Sequence, residues 1–332
     1  MGIRISGVGG YVPSKTVTNH DLAAGIDTSH EWIVKRTGIV ERRLAAPDEA
    51  PSDMGAEAAR RCLADAGVES SAVDLIVVAC ATPDQSQPAV ACMIQEKLGA
   101  SASQCPAFDV NSVCSGFVFA LNVAQSMMLT APRRFRNALV IGTDAFSKIM
   151  NWKDRRTCVF FGDGAGAVLL SHSEQPEDDG RQIRFLLGSD GRGRNAIEVP
   201  AGGTRLAVTP EVLERGLNKF TMDGPRVWDF AVGVVPRTIR ALLAENGLST
   251  RDLDLLVLHQ SNLRMLEAIM TSLELPMERT VTTVESYGNT AAASIPLTLQ
   301  KAAAEGRLTP GSRVMLCGFG GGLSWGAALV DW

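Results

Sequence analysis

This 332-residue chain carries little net charge of either sign: 32 Lys and Arg stand against 36 Asp and Glu, a formal charge of −4. That leaves no electrostatic case for nucleic acid or an anionic membrane as a partner. No apolar run reads as long enough to span a membrane and no signal peptide is visible, so a cytoplasmic protein without a membrane partner is expected. The opening Met1-Gly2-Ile3-Arg4-Ile5-Ser6 fits a myristoylation pattern, but Ile3, Ile5 and Val8 read better as an opening strand. The seven cysteines form no Cys-x-x-Cys pair and have no His neighbours at zinc spacing, so neither a metal centre nor a disulfide framework is expected. Most of them sit in apolar runs, as Cys80, Cys92, Cys158 and Cys317 do. Only four histidines are present, and His20, His30 and His172 read as polar, loop-like positions, which isolates His259.

Against that background Cys114 stands out. Phe108-Asp109-Val110-Asn111-Ser112-Val113-Cys114-Ser115-Gly116-Phe117 reads as a strand end, a polar turn and an apolar helix running to about Thr130. Asn111 and Ser112 are good N-cap residues, which places Cys114 in the first turn. Unpaired N–H groups and the positive helix end there favour a thiolate, the nucleophilic form toward acyl groups. A buried structural cysteine is the alternative. His259 follows the apolar run Leu255-Leu256-Val257-Leu258, at a strand's carboxyl end, where functional groups gather in parallel α/β folds. Tyr287-Gly288-Asn289-Thr290 is a glycine turn leading into a small-residue helix, where Asn289 alone reads as an N-cap. Gly318-Phe319-Gly320-Gly321-Gly322 is dense enough in glycine for the backbone to approach a ligand and present its N–H groups.

The chain repeats itself at long range. Asp74–Ala79 echoes Asp254–Leu258, Asn137–Gly142 echoes Ser312–Cys317, and Gly164–Leu170 echoes Trp325–Val330. Helical patterns lie between, at Ala56–Ala66 and Ala89–Leu98, then at Val234–Asn246 and Leu263–Leu273. Alternating strands and helices predict an α/β protein of mainly parallel sheets covered on both faces. Two halves are expected, residues 1–172 with the cysteine and 173–332 with His and Asn, joined through the polar Ser171–Arg181. Two motifs mislead. Gly322-Leu323-Ser324-Trp325-Gly326 matches a hydrolase nucleophile elbow, but the chain stops at Trp332 without a downstream acid and His. Gly162-Asp163-Gly164-Ala165-Gly166 hints at a dinucleotide loop, but a strand rather than a helix follows.

Taken in order, these segments resemble the thiolase superfamily, and most closely the β-ketoacyl-[acyl-carrier-protein] synthase III family. Asp27–Ile39, Phe161–Ala167, His259–Arg264 and the terminal Gly318–Gly326 segment carry the resemblance further, over nearly the whole chain. It implies a thiolase-like five-layered fold of two pseudo-duplicated α/β halves, a homodimer, and a pseudo-twofold axis that brings Cys114, His259 and Asn289 to one cleft. The reaction implied is a decarboxylative Claisen condensation in two steps. Cys114 takes the acyl group from an acyl-CoA, its oxyanion held by the N–H groups of Cys114 and Gly321. A malonyl thioester, on acyl carrier protein or CoA, then loses carbon dioxide, and His259 and Asn289 donate to the enolate oxygen. No metal or redox cofactor is implied. By the same resemblance Trp32 meets the CoA adenine with Arg36 and Arg155 nearby, and Thr28, Asn262 and Arg264 belong to the CoA or phosphopantetheine path. Phe117, Phe161 and Phe319 would line the acyl pocket, closed by Gln87 from a partner subunit.

The chain also departs from the family pattern. Val113-Cys114-Ser115 replaces the frequent Ala-Cys-Ala, and Gln87 stands where an aromatic or small residue is common. Thr271 and Ser272 stand where a basic pair often docks an acidic carrier, although Arg134 and Arg136 offer other basic surface. A priming enzyme or plain acyltransferase of a polyketide pathway is therefore the alternative. A non-catalytic scaffold, which usually lacks the nucleophile, is a weaker one.

Overall fold

The computed structural model describes residues 2–100, 104–173 and 182–332. Most of the expected Ser171–Arg181 junction lies outside the described residues. The helices are α1 (Asn19–Ala23), α2 (His30–Thr37), α3 (Pro51–Ala66), α4 (Val90–Lys97), α5 (Gly116–Thr130), α6 (Pro210–Glu214), α7 (Gly224–Glu245), α8 (Leu263–Ser272), α9 (Val284–Tyr287) and α10 (Ser294–Ala304). The strands are β1 (Gly2–Tyr11), β2 (Lys15–Thr18), β3 (Glu41–Leu44), β4 (Leu75–Ala79), β5 (Ala107–Val110), β6 (Asn137–Asp144), β7 (Gly164–Ser173), β8 (Arg184–Ser189), β9 (Ile197–Glu198), β10 (Thr221–Met222), β11 (Leu255–Leu258), β12 (Arg313–Gly320) and β13 (Ser324–Asp331).

Two main sheets form, in the orders β1-β7-β6-β4-β5 and β11-β12-β13-β8, beside the two-stranded pairs β2-β3 and β9-β10. Each sequence echo becomes a structural one: β4 corresponds to β11, β6 to β12 and β7 to β13. The fifth position of the second sheet is marked only by a parallel bridge from Leu256 to Thr280. The expectation of mainly parallel sheets needs correction. β4 runs parallel to β5 and β6, and β11 parallel to β12, but β1, β7, β8 and β13 pair antiparallel. In the second half the short reversal at residues 321–323 delivers β13 as an antiparallel neighbour of β12, whereas in the first half a long connection brings β7 back beside β6.

Five layers result. α3 and α4 cover one face of the first sheet, and α7 and α8 the far face of the second. α5 and α10 are sandwiched between the sheets, which explains why both are nearly free of charge. Their central core takes Phe117, Leu121, Val140 and Val168 from the first half, and Ile295, Leu299 and Leu316 from the second. The uncharged segment Val113–Thr130 does reach membrane-spanning length, contrary to the sequence reading. It is the central core helix, apolar all round because sheets flank it on two sides. The other histidines also sit in regular structure: His20 on α1 stacks on His30 of α2 at 4.9 Å, and His172 is on β7.

Candidate active site

The nucleophile turn differs in detail from the expected helix start. A short 3-10 turn, Val113–Ser115, precedes α5, and Val113 has φ of +46°. Its counterpart before α10 is the turn Ala291–Ala293, with Ala291 at φ +49°. Left-handed backbone is costly for residues with a Cβ, above all β-branched ones, and such strain clusters at functional sites. Asn111 Oδ1 accepts from the Val113 N–H at 3.2 Å, whereas the Ser112 hydroxyl turns to the Ser115 hydroxyl at 2.9 Å. The environment of Cys114 disfavours the expected resting thiolate. Burial, with the Asp144 carboxylate nearby, pushes the Cys114 thiol well above its ordinary range. Asp144 itself is pushed up to about 6 by burial while it accepts from the N–H groups of Ala81, Thr82 and Ala292. The resting group is therefore a neutral thiol.

His259 follows β11 directly, and its N–H donates to the Cys317 carbonyl at 2.9 Å, which carries the sheet ladder one residue further. Its Nδ1 lies 2.7 Å from the Ser294 hydroxyl on the first turn of α10. Burial pushes its pKa down to about 3, against the backbone of Ala291, which raises it, so the ring is neutral. In the tautomer in which Nδ1 accepts from Ser294, Nε2–H is the donor. Asn289 bears out its reading as a capping residue. Its Oδ1 caps the Ala291 N–H at 2.9 Å, which leaves the Nδ2 protons for the cavity that Asn289 lines.

One cavity of about 900 Å³ joins Cys114, His259 and Asn289. Phe161, Phe319 and Gly320 share its wall, and a Cβ built on Gly320 would stand 3.2 Å from Cys114 Sγ and 2.8 Å from Cys114 Cβ. Gly321 lies one residue beyond, against Val113 and Ile197. At the outer end Trp32 is flanked by both guanidinium groups, Arg36 at 5.0 Å and Arg155 at 5.2 Å from the ring. Asn262 caps α8 and lines the same cavity.

Five expected residues lie off this wall, Gly321 among them. Phe117 is fully buried in the central core, because α5 turns that face toward the sheets rather than toward Cys114. Arg264 is held by Glu267 at 2.8 and 2.9 Å and by the end of α2. Thr28 stands just before α2 with a buried hydroxyl, and Gln87 is exposed on the loop ahead of α4. Sequence reasoning missed Phe220 and Phe146, which each pack on Phe161 at 4.9 Å beside Cys114, because the segments that meet there are far apart in the chain. It also missed Ser294 and Asp144. Ser294 could have been found, since it lies one turn beyond Asn289 in the same motif.

This geometry defines an acyl-transferring enzyme of the thiolase superfamily, with a cysteine and a His–Asn donor pair between two duplicated halves. Residues 108–191 match the family described as 3-oxoacyl-[acyl-carrier-protein] synthase III, and residues 243–332 match its C-terminal domain. The chain is 46% identical to the β-ketoacyl-[acyl-carrier-protein] synthase III of Alkalilimnicola ehrlichii, over 98% of each protein. It superposes on the 3-oxoacyl-(acyl carrier protein) synthase III of Pseudomonas aeruginosa PAO1 with a TM-score of 0.90 and 37% identity, covering 100% of this chain and 98% of that one. It is also similar to the priming β-ketosynthase of the R1128 polyketide pathway (TM-score 0.89, 33% identity, covering 99% and 96%). The chain belongs to the β-ketoacyl-[acyl-carrier-protein] synthase III family and is an acyltransferase of that type.

Proposed function

We propose that the chain joins an acyl-CoA primer to a malonyl thioester, carried by acyl carrier protein, in two half-reactions at the one cavity. The observation that carries this reading is the continuous space from the Trp32–Arg36–Arg155 cluster to Cys114, His259 and Asn289. An aromatic face between two guanidinium groups suits an adenine with phosphates beside it. Cys114 sulfur forms a thioester with the acyl carbon, and the CoA sulfur leaves with the proton the thiol gives up. Backbone N–H groups at Cys114 and Gly321 hold the tetrahedral oxyanion, where losing one such donor costs about 3 kcal/mol.

Malonyl thioester then enters. Its carboxylate leaves as carbon dioxide, and the electron pair of the broken bond becomes an enolate. The neutral His259 Nε2–H and Asn289 Nδ2–H donate to the enolate oxygen. The enolate carbon bonds to the acyl carbon, and the Cys114 sulfur departs to give a 3-oxoacyl thioester. Carbon dioxide loss supplies the carbanion, so no resident metal or redox cofactor is needed. Cytoplasmic location and a homodimer complete the proposal.

Intact-mass measurement after mixing with acyl-CoA, followed by malonyl-carrier protein, tests this. Wild type should gain one acyl group and lose it on malonyl addition, while Cys114→Ala gains none. An acylated Cys114→Ala would move the nucleophile elsewhere. The likeness to a polyketide priming ketosynthase gives a second reading. A panel of primers decides it: acylation that is then not consumed by any malonyl donor identifies simple acyl transfer.

A further inference from the structure

The proposed oxyanion loop is built from Gly320, Gly321 and Gly322, which have no side chains to hold their backbone. Three serine hydroxyls gather against this loop. Ser324 Oγ donates to the Gly321 carbonyl at 2.7 Å. The same oxygen is 2.8 Å from Ser115 Oγ and 3.1 Å from Ser112 Oγ. Ser112 and Ser115 Oγ are 2.9 Å apart, and Ser115 Oγ donates to the Ser112 carbonyl at 2.8 Å.

Ser112 and Ser115 flank Cys114 on the nucleophile turn, and Ser324 opens β13. The cluster thus pins together the two segments whose N–H groups would share the oxyanion, across more than 200 residues of sequence. Three hydroxyls supply three protons. Two go to the carbonyls of Gly321 and Ser112, and the third, on Ser112, is shared with the other two oxygens. Ser324 is also the residue that completes the hydrolase-like Gly322–Gly326 pattern. It is 5% exposed and its hydroxyl proton is engaged, so the motif marks an anchor and not a nucleophile.

We propose that Ser324, backed by Ser115 and Ser112, is a positioning residue for acyl transfer: it holds the Gly321 backbone at the spacing from the Cys114 N–H that a tetrahedral oxyanion requires. The inference rests on the function proposed above and refines its first half-reaction. The hydroxyls act through the backbone, and a displacement of about 1 Å at such a site is worth up to about 100-fold in rate.

The test compares wild type, Ser324→Ala, Ser324→Thr and Ser115→Ala by three readouts. These are the single-turnover rate of acetyl transfer from acetyl-CoA to Cys114, the rate of Cys114 alkylation by iodoacetamide, and Tm. Alkylation displaces iodide at a saturated carbon and forms no oxyanion, so it reports the thiol alone. Ser324→Ala should acylate at least about tenfold more slowly at saturating acetyl-CoA, with KM and alkylation each within about twofold of wild type. Ser324→Thr keeps the hydroxyl and should recover most of the loss. A parallel fall in alkylation would assign the cluster to the thiol and overturn the inference, as would undiminished acylation or no recovery by threonine. If Ser324→Ala does not fold, Ser115→Ala carries the same comparison, with acylation slowed about threefold or more and alkylation unchanged; equal acylation there overturns the idea. A wild type that accepts no acyl group sinks the proposed function and this inference together. An acylated wild type matched by Ser324→Ala sinks only the inference.

Discussion

At the residue scale, the His259–Asn289 pair is governed by desolvation. His259 has a folded pKa of about 3 against an ordinary 6.5. The unfolded chain therefore takes up a proton that the folded chain refuses. The stability this residue contributes is full above pH 6.5 and is lost as pH falls through that window toward 3. Throughout the working range the ring stays a neutral donor. Carbon dioxide release from the acylated enzyme should be flat in pH from about 6.5 to 8 as far as His259 is concerned. A limb in that range that vanishes in His259→Gln would show the imidazolium to be the active form. For Asn289 the two roles separate by atom, since Oδ1 caps the Ala291 N–H while Nδ2 remains a donor. Asn289→Asp keeps the acceptor and removes the donor. It should still be acylated at Cys114 yet release carbon dioxide about 100-fold more slowly or worse. Normal release by this variant would remove Asn289 from the second half-reaction.

At the element scale, the duplicated turns organise the site. The turn before α5 carries Cys114 and the turn before α10 follows Asn289, each with one non-glycine residue at positive φ. β6 passes beside the second turn at Gly142, where an added Cβ would lie 2.2 Å from the Ala292 carbonyl oxygen. That neighbour is backbone, braced by the Asp144 carboxylate that accepts from the Ala292 N–H at 3.0 Å, so it has little room to yield. Gly142→Ala should destabilise the protein by about 3 kcal/mol or more, read as a fall in Tm. An unchanged Tm would mean that the Ala291–Ala293 turn moves freely, which would also weaken the case for a preorganised His259–Asn289 pair.

At the scale of the whole molecule, Gln87 is exposed ahead of α4 and outside the cavity of its own chain, on the loop that the family resemblance assigns to a dimer partner's acyl pocket. The aromatic group Phe146, Phe161 and Phe220 already fills the region beside Cys114. A desolvated amide facing a bare alkyl chain costs about 1–3 kcal/mol, so short primers, or primers with a polar group, should be preferred. Gln87→Phe should change the ranking of acyl-CoA primers while leaving acetyl transfer to Cys114 intact. Light scattering should report a dimer. A monomer in solution, or an unchanged primer ranking, would disconnect Gln87 from the pocket.

The sequence by itself determined what is local or repeated. Strand cores such as Leu75–Ala79 and Leu255–Leu258 are continuous apolar runs, and each of the three sequence echoes is a pair of strands in the fold. Cys114, His259 and Asn289 were legible because each sits at the start or end of an element with a strong signal. Tertiary structure alone decided the environment. The helix start argued for a thiolate, but burial beside Asp144 makes Cys114 a thiol, and burial is a property of what packs from elsewhere in the chain. Phe117 was read as pocket and is core, because the rotation of α5 between two sheets chooses which face meets Cys114. Phe146, Phe220 and the Ser112–Ser115–Ser324 cluster stayed hidden for the same reason. Their partners are far away in sequence, and local propensity carries no information about contacts that only the closed fold creates.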